Sequence, residues 1–285
     1  MTFSIVAYDG QDWGVAVASK FLAAAAVVSW AQAGAGAVAT QALARVPNGL
    51  EGLALMAEGK SAQHALETLL AADPQRARRQ VGLVDAQGGV AAHTGAECHE
   101  WAGHVLGEGF ACQGNILTGQ NVVGAMADAF RAAKGELADR LVVALMAGEA
   151  AGGDKRGKQS AGVLVVRTNG GYGGDNDRYL DLRVDDDENP MKKLKQMVDI
   201  HHLYFSAPKP EDQLTITPEI AAELQSILLK EGYFGGDANG QWDEMSKQAF
   251  WALVGNENLE ERWNIETNPD RIDRVALDYL RARYK

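Results

Sequence analysis

Over the first 185 residues or so, strand-like runs and helices alternate in groups: strands, two helices, strands, two helices, strands. This order limits the fold more than any single motif. Residues 3–8 read as a strand closed by the Asp9-Gly10 turn, and residues 13–21 as its hairpin partner, because Asp-Gly tolerates the positive φ such a turn needs. Residues 26–41, rich in Val and small side chains and interrupted by Gly34 and Gly36, read as a second bent pair of strands. Helices are expected over 49–58 and 61–72, the latter with Ser61 as N-cap before the apolar series Ala65, Leu66, Leu69 and Leu70. A hairpin at 81–85 and 90–94 turns around Gln87-Gly88-Gly89, and 105–116 supplies further strand. A second helical pair covers 121–133 and 136–147, and strands at 163–167 and 179–184 close the series. Each helical pair must bury an apolar stripe on a sheet face, so two pairs require two faces. The expected fold is α+β, a four-layer αββα sandwich. A doubly wound parallel sheet would need single helices alternating with single strands, and the hairpins argue against it.

The sandwich is expected to occupy residues 1–185. An acidic run at 185–188 is followed by a connecting helix at 191–205 and a linker containing Pro208 and Pro210, which together form a segment 186–213. The chain then restarts. Thr217-Pro218-Glu219 reads as the cap of a helix carrying Ile220, Leu224, Ile227 and Leu228, and Gly232 to Gly236 turns toward a helix at 242–254, so residues 214–285 read as a small helical domain.

Charge narrows the partners. With 27 Lys and Arg against 38 Asp and Glu, the formal net charge of -11 repels phosphate backbones and anionic lipid, which argues against nucleic acid and membrane. The apolar stretch at 21–38 contains Ser29, Trp30 and Gln32 and suits paired strands better than a membrane span. Cys98 and Cys112 are too few for a disulfide framework and lack metal-ligand spacing, and the chain opens on Thr2-Phe3-Ser4-Ile5-Val6 without a secretory pattern. A cytoplasmic location follows as an expectation, with self-association left open.

Thr2 carries the most specific chemistry. Removal of Met1 would put a hydroxyl and a free α-amine on one residue, and an α-amine with a pKa of about 7.7 to 8.0 is a usable base near neutral pH. A retained Met1 would acylate that amine and abolish the arrangement. Lys20, at the end of the second strand, would lower the amine pKa and stabilise developing negative charge. Ser19 and Gln41 are weaker hydrogen-bonding candidates for the same cleft. The run from Ala151 to Ser160 combines three glycines with clustered polar groups. In it Asp154, Arg156 and Ser160 are candidates for substrate binding, with Arg156 able to grip a carboxylate in bidentate fashion unless it only pairs with Asp154. The loop precedes a strand rather than a helix, so it is not a nucleotide site. Asn115 could donate to an oxyanion and His93 could move protons or contact substrate. His93, His99 and His104 share no helix face and lack carboxylates at ligand spacing, so no metal and no cofactor are expected.

Several runs resemble the domain-of-unknown-function 1028 family: Thr2 to Ala7, Gly14 to Phe21, Gly36 to Gln41, His93-Thr94-Gly95, Gln113 to Leu117 and Ala151 to Ser160. The resemblance implies an αββα sandwich of the N-terminal-nucleophile hydrolase type with a cleft at the Thr2 position, but no particular substrate. The C-terminal region resembles a peptidoglycan-binding domain through Leu224-Gln225, Gly232 to Gly236 and the Asn239-Gly240 turn before Trp242. The lack of an export pattern argues against glycan binding and leaves a packing or dimerisation role at least as strong. Two functions follow: an amidohydrolase acting on a small amide, with Thr2 as nucleophile, Lys20 tuning the site, Asn115 or a backbone N–H holding the oxyanion and Arg156 anchoring a carboxylate; or a non-catalytic ligand-binding or assembly protein on the same scaffold.

Overall fold

The structure, a computed structural model, describes residues 2–206 and 208–284. The expected loss of Met1 therefore falls outside the described residues. The chain divides into two compact units, Met1–Val198 and Asp199–Lys285.

The first unit begins with β1 (Thr2–Tyr8) and β2 (Trp13–Ser19), paired antiparallel through the expected turn. Next comes a short helix, α1 (Ala24–Val28), where the sequence pattern suggested strand. Alanine is the best helix former, and Ala23 in the left-handed region breaks the extended chain just before it. β3 (Ser29–Gln32) and β4 (Gly36–Ala42) form the second hairpin, and α2 (Pro47–Ala57) and α3 (Ala62–Ala71) the first helical pair. Ser61 caps α3 as expected, its hydroxyl accepting from the His64 N–H. β5 (Arg79–Asp85), β6 (Val90–Thr94), β7 (Gly103–Gly107) and β8 (Phe110–Asn115) follow, then α4 (Asn121–Ala132), α5 (Leu137–Ala150), β9 (Ser160–Val166) and β10 (Arg178–Val184).

The strands form two antiparallel sheets, six-stranded in the order β10-β9-β2-β1-β8-β7 and four-stranded in the order β3-β4-β5-β6. Strand parity sorts their side chains. Phe3, Ile5, Ala7, Ala16 and Val163 join Met126, Leu141 and Leu145 of α4 and α5 in one core. Val6, Val15, Val17 and Leu164 meet Ala37, Ala39 and Val84 in a second core between the sheets. Val38, Val81 and Leu83 pack with Leu53, Met56, Leu66 and Leu69 of α2 and α3 in a third. The layers thus run helices, sheet, sheet, helices, and β1 is a central strand buried on both faces.

α6 (Pro190–Phe205) adds Met191, Leu194 and Val198 to the first of these cores, while its Leu203 belongs to the core of the second unit. That unit contains β11 (Gln213–Thr215), α7 (Pro218–Lys230), α8 (Glu244–Glu257), β12 (Arg271–Asp273) and α9 (Arg274–Arg283). The Thr217 hydroxyl caps α7 as expected, accepting from the Ile220 N–H. The small β11–β12 pair and α9 were not foreseen. Phe250 and Trp263, with ring centroids 4.8 Å apart, pack among Leu224, Leu228, Leu253, Leu277 and Leu280. No helix among the described residues is long and apolar enough to cross a membrane.

Candidate functional site

Alternation along β1 turns Phe3, Ile5 and Ala7 toward α4 and α5, and therefore turns Thr2, Ser4 and Val6 toward the four-stranded sheet. Thr2 sits opposite Asn115 of β8, and the Phe3–Ala18 register brings Ser19 of β2 to its other side. The Thr2 and Ser19 hydroxyl oxygens are 3.1 Å apart, with Thr2 only 7% exposed. Asn115 and Gln113 of β8 face the same layer, as do Gln41 of β4 and Gln80 of β5 across the sheet interface.

A polar network fills this end of the interface, and two backbone carbonyls fix its direction. The Gln80 Nε2 lies 2.8 Å from Gly114 O and 3.1 Å from Gly103 O, neither of which can donate, so the nitrogen end of the amide must point there. Nε2 also lies 2.9 Å from Thr94 Oγ1, its two hydrogens being shared among three acceptors. Gln80 Oε1 must then accept, from Gln41 Nε2 at 2.8 Å and from Asn115 Nδ2 at 3.0 Å. With its nitrogen so committed, Gln41 Oε1 accepts from the Ser4 hydroxyl at 2.7 Å, and Ser4 accepts from Gln113 Nε2 at 2.7 Å. The chain ends at Gln113 Oε1, a buried oxygen with no hydrogen-bond partner, lying over Gly82, where a Cβ would come within 2.1 Å of it. Ser4, Gln80 and Gln113 are fully buried, so each link matters: an unmet polar group here costs about 1–3 kcal/mol.

The glycine-rich loop after α5 reaches the same strand ends. Buried Asp154 accepts the Lys20 backbone N–H on Oδ2 and the Arg156 backbone N–H on Oδ1, both at 2.8 Å, and pairs with the Arg156 guanidinium at 3.3 Å. Gly152 at φ +117° is packed so closely on Thr118 that a Cβ would fall 2.2 Å from its hydroxyl, which makes glycine necessary in this turn. Ser160 donates to Phe21 O and accepts from the Ala24 N–H, tying β9 to the chain leaving β2. A pocket of about 110 Å³ opens beside these groups, lined by Phe3, Ser19, Glu149, Asp154, Lys158 and Ser160, with Lys158 paired to Glu149 at 2.9 Å.

The fold therefore brings Thr2, Gln41 and Asn115 together, and places Asp154 and Ser160 in the lining of the pocket, with Arg156 paired to Asp154. Lys20 lies just past the paired register. Its side chain is exposed, and its backbone N–H is what engages Asp154. His93 lies apart. It pairs with Val81, whose side chain belongs to the outer core, so it occupies the face of the four-stranded sheet away from Thr2, where its Nε2 meets Arg76 O at 2.9 Å. Its neighbour Thr94 takes the inward position instead.

Thr94 Oγ1 lies 2.9 Å from His104 Nδ1, and burial, with His93 adding to it, holds the His104 imidazole below its ordinary range. With Gln80 donating into Thr94, the threonine proton is directed to Nδ1. Neutral His104 is accordingly expected as the Nε2–H tautomer, titrating below about 6.5 by two-dimensional ¹⁵N NMR of the ring. Because its folded pKa is depressed, its contribution to stability is complete above the unfolded value of about 6.5 and is lost as pH falls through the folded pKa. A ring titrating above 6.5, or protonated on Nδ1 when neutral, would refute this.

Comparison with known proteins decides the family. A model described as "Family of unknown function (DUF1028)" matches residues 2–194, about two thirds of the chain. The chain belongs to this family. A solved DUF1028 structure, protein SPO2555 from Silicibacter pomeroyi, is 32% identical, with a TM-score of 0.64, over 70% of this chain and 89% of that one. A second model, "Putative peptidoglycan binding domain", matches residues 204–280. No functionally curated protein matches. The DUF1028 match begins at Thr2, and it spans the whole network as well as the glycine-rich loop. Among the described residues, no group of three or more His, Cys, Asp or Glu side chains converges as a metal site would require.

Proposed function

We propose that the first unit is a sandwich of the N-terminal-nucleophile hydrolase type and that it hydrolyses a small amide through Thr2, once Met1 has been removed. The observation that carries this reading is the setting of Thr2 on a central, buried strand. It lies across from Asn115 in register and beside the hydroxyl of Ser19, a residue that also lines a small pocket. In the first step Oγ1 attacks the substrate carbonyl carbon while its proton passes to the α-amine. The C–N bond then breaks, the leaving amine takes that proton, and water releases the acyl group from Oγ1. The second proton on Asn115 Nδ2, beyond the one given to Gln80, is a candidate donor to the oxyanion. Lys20 would contribute positive potential at the strand end. The Arg156 side chain, 43% exposed and held by Asp154, would receive a substrate carboxylate, with Ser160 and Gln41 shaping the surrounding wall. A pocket of this size suits a small group only.

The test is covalent. The purified protein is treated with an electrophilic β-lactone, and any adduct is located by peptide mass spectrometry. An adduct on Thr2 is expected. Labelling at another residue would place the nucleophile there, and none under conditions that modify a known amidase would favour a non-catalytic binding protein. That second reading draws on how fully Gln80, Gln41 and Asp154 are already engaged within the protein.

For the second unit, the family match suggests a cell-wall glycan as ligand. A concavity of about 590 Å³ on α7 and α9, lined by Glu223, Ser226, Ile227, Lys230, Arg281 and Tyr284, combines an aromatic face with charged groups suited to a sugar-peptide polymer. The full-length protein is expected to co-sediment with insoluble peptidoglycan, and Tyr284→Ala to weaken retention several-fold. Retention unaffected by Tyr284→Ala would remove this concavity from the proposal.

A further inference from the structure

We infer that Gln80 is the positioning residue of the Thr2 site, turning the Asn115 carboxamide so that its nitrogen, not its oxygen, serves the reaction. This rests on the amidohydrolase reading above. Asparagine presents a donor or an acceptor depending on a half-turn about one bond, and only a donor can stabilise an oxyanion. Asn115 is 1% exposed, so the choice must be made by its neighbours. Gln80 makes it, since its Oε1, 3.0 Å from Asn115 Nδ2, carries no hydrogen and excludes the flipped amide.

What holds Gln80 is rigid. Its nitrogen is pinned by Gly114 O and Gly103 O, backbone carbonyls of the paired strands β8 and β7, which face each other in register. Reversing Gln80 would place its oxygen against both carbonyls and its nitrogen against the Gln41 and Asn115 nitrogens, which is repulsive at both ends. The two carbonyls therefore determine the orientation of a side chain in the opposite sheet, and through it that of Asn115, the cross-strand partner of Thr2. Gln41, fixed by the same oxygen, spreads the polarity to Ser4 and Gln113. Gln80 itself touches no reacting atom. Its effect passes entirely through Asn115.

Two measurements on the full-length protein test this. The first reads the Asn115 side-chain amide of the wild type by NMR. Exchange with solvent at least about tenfold slower than for a free asparagine amide is expected, because one proton is held by a buried acceptor. Exchange at the free rate overturns the proposal, whether or not any variant folds. The second is a double-mutant cycle on the rate of Thr2 acylation by the β-lactone. Asn115→Ala is expected to slow the maximal rate about a hundredfold, and Gln80→Met, which keeps the volume, about tenfold with unchanged half-saturation. Adding Gln80→Met to Asn115→Ala should cost nothing further. Losses that multiply would mean Gln80 acts other than through Asn115 and would overturn the proposal. A wild type that is never labelled at Thr2 refutes the amidohydrolase reading, and the exchange measurement then still decides whether Gln80 holds Asn115.

Discussion

Asp273→Ala is expected to destabilise the C-terminal unit by about 4 kcal/mol and to split thermal unfolding into two transitions. Asp273 is fully buried and serves two partners. Its Oδ2 lies 3.4 Å from Nη1 of Arg262, itself 6% exposed, and its Oδ1 accepts the Val275 N–H at 2.8 Å as the N-cap of α9. Breaking a buried ion pair from one side leaves an uncompensated charge and costs about 3–5 kcal/mol, and losing a cap costs about 1 kcal/mol more. Arg262 would keep its hydrogen bonds to the carbonyls of Leu203 and His202, which lessens the damage. A small unit has a total stability of only about 5–15 kcal/mol. Trp242, Trp251 and Trp263 lie in this unit, so the early transition should appear in tryptophan fluorescence. Asp273→Asn keeps the cap and should fall between the two. A loss below about 1 kcal/mol for Asp273→Ala would show that the carboxylate does not hold Arg262.

Thr2→Ala is expected to reduce amide turnover by about a thousandfold or more while leaving the fold intact. The substitution keeps the α-amine and removes only the attacking oxygen, so it separates nucleophile from base. Its structural cost includes the contact with Ser19 Oγ, worth about 1 kcal/mol. Thr2→Ser should retain measurable turnover, since a hydroxyl remains beside the amine. Turnover unchanged in Thr2→Ala would place the nucleophile elsewhere in the chain.

The strands and helices were legible because their signals are local. The Asp9-Gly10 turn, the Ser61 and Thr217 caps and the apolar stripes of the helical pairs all act over a few residues, and each has its counterpart in the structure. α1 was misread because three alanines fit an extended run as readily as a helical turn when only small residues are counted. The site was legible at Thr2, Gln41 and Asn115, where polar residues end strands. It was not legible at Gln80, Ser4 and Gln113, whose importance depends on which strand faces which across two sheets. Parity explains the rest. A shift of one residue along a strand exchanges faces, so Thr94 points inward where His93 was expected, and Ser19 rather than Lys20 adjoins Thr2. A faint signal for Gln80 was present, a lone amide entering the apolar run from Val81 to Val84.

The proposed chemistry depends on a free amine at Thr2, and the N-terminus of the protein isolated from its native cells tests this most directly. Intact-mass analysis with N-terminal sequencing is expected to give a chain that begins at Thr2, lighter than the full sequence by one methionine residue. A chain that retains Met1 would have its threonine nitrogen locked in a peptide bond, and that result would contradict the mechanism.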